Sequence, residues 1–235
     1  DTVVHLGTLQ PPSGAGRGSS GREIALIGTM QLLAACQRAG SLRRRFDVIV
    51  IPDLSLREVR DGMTDAQVPP PYSGGMGAEG LAALKRFVAE GGHVGLVDGS
   101  TELAAEVFGI DVKLVAAGGG RATDSEQIYA PGSILRVQVD SSHPVARGMS
   151  KDAAIYFVNS TAMDIPTGSA ARVIARYPAQ AETILLSGFL QGAPKLAGKA
   201  AAADITLGVG RVTMFGFRPL YRGQSYGTFK MFFNA

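Results

Sequence analysis

Phe46-Asp-Val-Ile-Val-Ile-Pro-Asp53 is the segment that most narrows the fold. Four β-branched apolar residues in a row, bounded by Asp and by Pro-Asp, fit a strand buried on both faces, as in a parallel sheet. After it comes Leu54 to Gly80, read as a long loop around Pro-Pro-Pro-Tyr-Ser-Gly-Gly. Leu81, Leu84, Phe87 and Val88 then recur at helical spacing, and Gly91-Gly92 ends that helix. His93 to Val97 predicts a second short strand, and Asp98-Gly99-Ser100 turns into a helix over Thr101 to Phe108. Strand, loop, helix, strand, turn, helix is the order of an α/β sheet with crossover connections.

The second half changes character. Ile134–Val139, Ala154–Val158, Ala171–Tyr177, Thr183–Leu186, Ala201–Leu207 and Arg211–Phe217 all read as strands, with few helices between them. Leu207-Gly-Val-Gly-Arg211 predicts a hairpin turn, and a terminal helix is expected from about Gly227. The simplest architecture is one mixed, mostly parallel sheet with helices on both faces and an antiparallel extension. Ahead of the first strand, residues 1–21 are rich in Gly, Ser and Pro and read as an arm or linker. A helix is expected over Arg22 to Leu42, opening a single domain over 22–235.

Composition removes several functions. The chain has 235 residues, 46% hydrophobic and 18% charged, which suits a globular core. A net charge of +3 with one basic block, Arg43-Arg44-Arg45, gives no extended basic stripe, so nucleic acid is not an expected partner. Nothing approaches the roughly 18 apolar residues that would span a bilayer. One cysteine, Cys36, excludes an internal disulfide framework. Leu33-Ala-Ala-Cys36 imitates a lipoprotein cleavage box, but 35 residues precede the cysteine and Glu23 stands where a signal peptide carries positive charge. A start at Asp1 points to a piece of a longer or processed chain.

Ligands of open α/β sheets bind beyond the carboxyl ends of the parallel strands. Those ends supply Asp53, then Asp98, Gly99 and Ser100, then Arg218, Arg222, Gln224 and Tyr226 just past Phe217. Ser100 sits near the place of a nucleophile elbow, but a serine hydrolase also needs a histidine base and an orienting carboxylate. Of the three histidines, His93 opens the same strand at its far end, and His143 precedes Pro144 at a turn into a short helix. Ser100 therefore reads as a helix N-cap, with a hydrolase that recruits Asp98 or His143 as the alternative. Arg218 and Arg222 could clamp an anion, or pair internally with Asp53 or Asp98. Neither a metal motif nor a P-loop is present; Gly118-Gly119-Gly120-Arg121 lacks the following lysine and hydroxyl.

Five segments, LRRRFDVIVIPD, GLAALKRFVAEGGHVGLVDGSTELAAEVFG, SSHPVARGM, AAIYFVNSTAMDI and FGFRPLYRGQSYGTFKMFFNA, resemble the glutamine-amidotransferase-like domain at the C-terminal end of certain bacterial zinc carboxypeptidases of the carboxypeptidase A type. The resemblance covers roughly Gly40 to Ala235. It implies a class I amidotransferase-like, flavodoxin-like three-layer sandwich. Active members of that fold carry a cysteine at the elbow and His-Pro-Glu after the last core strand. Here the elbow reads Asp98-Gly99-Ser100, and the strand runs into Arg218-Pro219-Leu220. Both nucleophile and base are replaced, so no catalytic residue is assigned. The resemblance further implies an accessory module of an exported parent whose peptidase domain would hold the zinc. This chain itself is expected to carry no cofactor and no metal, with that peptidase domain or a second copy of itself as partner.

Overall fold

The computed structural model describes residues 3–5, 42–64, 66, 73–116, 127–223 and 225–235. Residues 22–41 of the expected helix over 22–42, Cys36, the Gly118–Arg121 run and most of the 1–21 arm lie outside the described residues.

Strand β2 (Val48–Ile51) shows how the sequence builds the sheet. Its Ile49 and Ile51 belong to one apolar core and Val50 to the other, so both faces are covered. Beside it run β1 (Val3–His5), β3 (His93–Val97) and β11 (Gly210–Phe215), in the order β1-β2-β3-β11 and all parallel. Val3–His5 thus forms an edge strand within the stretch expected to be an arm.

At β11 the direction changes. β10 (Ala200–Leu207), β8 (Arg172–Arg176), β5 (Ser133–Val139) and β6 (Asp152–Phe157) follow as antiparallel neighbours. Shorter β4 (Lys113–Ala116), β7 (Thr161–Asp164) and β9 (Leu185–Ser187) pair off this path, also antiparallel. The fold is mixed α/β, but the expected mostly parallel sheet is corrected: antiparallel pairings outnumber parallel ones. The physical reason lies in the connections, because the second half has few helices to carry parallel crossovers.

Among the described residues helices are few and short. α1 (Leu56–Asp61) lies inside the expected long loop and is started by a capping box: Glu58 N–H donates to Ser55 Oγ at 3.2 Å, and Ser55 N–H to Glu58 Oε2 at 2.8 Å. α2 (Gly77–Ala89) buries Ala83, Leu84, Phe87 and Val88 against the first core. Leu84 and Phe87 are almost fully buried, and each contributes about 2–3 kcal/mol. The helix after the corner is interrupted, a 3-10 turn over Asp98–Glu102 running into α3 (Leu103–Glu106). α4 (Ala193–Leu196) and the terminal α5 (Tyr226–Phe233) complete the set, and Met231 of α5 is buried in the second core. No helix among the described residues is long and apolar enough to cross a membrane.

One glycine fixes the seam beside the corner. Gly216 N–H donates to Ala201 O at 2.8 Å, and its carbonyl accepts from Thr161 N–H at 3.0 Å. A Cβ there would lie 2.5 Å from Thr161 O, so only glycine lets the end of β11 reach β7.

Candidate functional site

Strand β3 leaves the sheet through Asp98, which takes a left-handed backbone, φ 53°. Asp is one of the few side chains that tolerate this region, and such conformations concentrate at functional corners. Two hydroxyls hold the turn. Val97 N–H donates to Ser100 Oγ at 2.7 Å, and the Ser100 hydroxyl lies 3.0 Å from Ile51 O and from Val97 O. Thr101 Oγ1 donates to Asp98 O at 2.6 Å. Ser100 is wholly buried and committed to the backbone. The residue presented at the elbow is Asp98.

Its carboxylate does not face open solvent. Ser160 Oγ, from the β6–β7 connection, donates to Asp98 Oδ2 at 2.7 Å. Arg218 Nε lies 3.1 Å from the same oxygen, a charge contact in which the N–H is not aligned for a hydrogen bond. Arg218 Nη2 lies 2.6 Å from Asp53 Oδ2, at the end of β2. Gly99 N–H donates to Asp53 Oδ1 at 3.2 Å, and a Cβ on Gly99 would stand 3.1 Å from that oxygen. The three predicted strand ends therefore meet, with one guanidinium between two carboxylates. Burial first, then the negative charge of Asp53, push Asp98 up to about 7, against the pull of Arg218 and Ser160. Near neutrality Asp98 is shared between its acid and its anion.

Outside this cluster lies an aromatic rim. Tyr156 and Tyr221 stack at 4.5 Å with ring planes 13° apart. The guanidinium carbons of Arg218 and Arg222 lie 5.6 and 5.1 Å from the Tyr221 ring centre. Arg222 also has a left-handed backbone, φ 50°. Tyr226 is exposed at the start of α5, and Thr228 Oγ1 ties the tail down within 2.6 Å of Pro219 O. Gln224 lies outside the described residues.

Neither histidine with a described side chain turns to the corner. His93 Nε2 is 2.8 Å from Thr213 Oγ1, and His143 Nε2 faces Asp204 Oδ2 at 3.7 Å. No three His, Cys, Asp or Glu among the described residues gather as a metal would need. Sequence reasoning missed Ser160 and the Tyr156–Tyr221 stack. Asn159, with φ 44°, marks a turn just before Ser160, but nothing local says which strand end that turn reaches.

No family model matches the chain, and no curated protein matches it. Solved structures resemble it distantly. Cytoplasmic Protein STM3548 from Salmonella typhimurium aligns at 12% identity and a TM-score of 0.48, over 86% of this chain and 72% of that one. A putative GMP synthase protein from Thermoplasma acidophilum aligns at 11% identity and 0.44, over 80% and 70%. A β-galactosidase from Bacillus circulans sp. alkalophilus aligns at 14% identity and 0.43, over 80% of this chain but only 22% of its own length. At these scores the alignments carry no functional argument.

Proposed function

We propose that this chain is a non-catalytic, class I amidotransferase-like module of flavodoxin-like three-layer form, in which the former reaction corner has become an internal ion-pair lock. The observation that carries this reading is the saturation of Asp98. A thiol or hydroxyl at an elbow needs a base beside it, and a carboxylate there has to be free to attack. Asp98 instead contacts Ser160 and Arg218, and a guanidinium, always protonated, accepts no proton. Ser100, the one elbow hydroxyl, is turned into the backbone. In its biological setting the module would act as an accessory domain of a larger exported zinc carboxypeptidase, a proposal supported by the resemblance of the FDVIVIPD strand and the GFRP-x-x-RGQ tail.

The test is direct. Purified chain given amide, ester and peptide substrates shows no turnover above buffer. A rate that Asp98→Asn or Ser100→Ala removes would overturn the reading. For the parent, sequencing the reading frame upstream of Asp1 should disclose a His-x-x-Glu zinc motif.

Anion binding at the same rim is the second reading, and Arg222 favours it: its guanidinium lies over Tyr221 on an exposed residue. Arg218 is already neutralised by Asp53 and Asp98, which argues against it. Thermal shift across carboxylates and phosphates, repeated on Arg222→Ala, separates the two readings.

A further inference from the structure

On the sheet face opposite α2, a pocket of about 200 Å³ is lined by Val50, Phe215, Leu220, Phe232, Phe233 and His93. Among the described residues, His93 contributes the one lining side chain with a polar atom. A half-buried network behind the ring fixes what that imidazole offers. Arg211 Nε donates to both oxygens of Asp204, at 2.8 and 2.9 Å, so Asp204 is the accepting carboxylate. Thr213 Oγ1 donates to Asp204 Oδ1 at 2.9 Å.

A threonine hydroxyl has a single proton, and here it is spent on Asp204. At the 2.8 Å contact between Thr213 Oγ1 and His93 Nε2, the imidazole must therefore donate. A neutral ring protonated on Nε2 has a bare lone pair on Nδ1, and Nδ1 makes no hydrogen bond among the described residues. Burial and the Arg211 charge hold the ring's pKa down to about 4, so it stays neutral at physiological pH. His143 does not compete for this role. Its Nδ1 accepts from Val145 N–H at 3.3 Å, which leaves the proton on Nε2, toward Asp204.

We propose that this pocket is a binding site for a small monocyclic aromatic alcohol of the phenol type, its ring among the phenylalanines and its hydroxyl donating to His93 Nδ1. The size fits: an apolar cavity of about 150 Å³ takes up benzene, and the further space leaves room for a hydroxyl. A carboxylate or phosphate would find no cation among the described lining residues, and a donor-free hydrocarbon would leave the imidazole lone pair unmet. The proposal stands independently of any chemistry at the Asp98 corner.

The experiment is calorimetric titration of the whole chain with phenol and with anisole, which keeps the ring and lacks the donor, at pH 7.5. One neutral hydrogen bond makes phenol roughly five- to tenfold tighter than anisole. Phenol should also shift the His93 Nδ1 resonance in nitrogen-15 spectra, and His93→Phe should bring the two affinities together. Equal affinities in the wild-type chain, saturation without a His93 shift, or no saturation by either compound up to about 10 mM would each overturn the proposal. The wild-type comparison decides even if His93→Phe fails to fold.

Discussion

Replacing Arg218 by Gln isolates the lock at the corner. The guanidinium touches Asp53 at 2.6 Å and Asp98 at 3.1 Å, so its removal leaves two carboxylates facing each other around a neutral amide. Breaking a fully buried pair costs about 3–5 kcal/mol. The Arg218 and Asp53 side chains keep 22% and 25% of their surface exposed, and water recovers part of that loss. About 2–3 kcal/mol remains, which lowers the melting temperature of a chain this long by about 5–10 °C. The penalty should depend on pH. Arg218 opposes the burial and the Asp53 charge that push Asp98 up to about 7, so without it Asp98 binds its proton still more tightly. Keeping that proton relieves the repulsion, so the loss is larger at pH 8 than at pH 5. Adding Asp98→Asn to Arg218→Gln removes the stranded charge, tolerates the left-handed backbone and restores most of the stability. Differential scanning calorimetry of the parent and the two variants at both pH values reads the result. If Arg218→Gln melts at or above the parent temperature at pH 8, the arginine is kept at the expense of the fold, as a ligand-binding group would be, and the lock is refuted.

Two titrations should run in opposite directions. His93 is held at about 4 in the fold against about 6.5 unfolded, so its contribution, up to about 3 kcal/mol, is complete above pH 6.5 and lost as pH falls toward 4. Asp98 sits at about 7 folded against 3.8, so the stability it lends is full below pH 4 and lost as pH rises through 7. Urea midpoints of His93→Gln and Asp98→Asn relative to the parent, from pH 4.5 to 8, should diverge with slopes of opposite sign; equal slopes would contradict both assignments. Ser100→Ala removes the acceptor for Val97 N–H and should cost about 1–2 kcal/mol with no change in any substrate assay. Ser100 stands inside the 3-10 turn rather than at its N-cap, which is Val97, and a neutral stability change there would remove its role in holding the turn.

The parallel half was largely legible because its residues speak locally. The β-branched run of β2 and the 3.6-residue spacing of Leu84, Phe87 and Val88 declare strand and helix without reference to anything distant. The same local logic, read more closely, would have found α1, since Ser55 and Glu58 stand at capping-box spacing. β4 and β7 were missed because Lys113–Ala116 and Thr161–Asp164 are short and lack the β-branched run that marks β2. At the corner, the sequence showed which residues stand at strand ends, and hence that Asp53, Asp98 and Arg218 could meet. It drew attention to Ser100, the hydroxyl within the Asp98-Gly99-Ser100 turn. Backbone geometry, with φ 53° at Asp98, puts the presented side chain two residues earlier. Ser160 was out of reach, because it arrives from a loop 62 residues away.

The order of the strands has a consequence during synthesis. β3 leaves the ribosome with its neighbour β11 still to be made, and the whole of residues 98–209 is translated in between. At about 5–20 residues per second this leaves the nascent edge of β3 waiting on the order of ten seconds for its partner. An unpaired apolar edge invites association with other chains. Truncation before Gly210 should therefore yield an aggregating species rather than a smaller folded one, and the C-terminal hairpin is the step that commits the whole sheet.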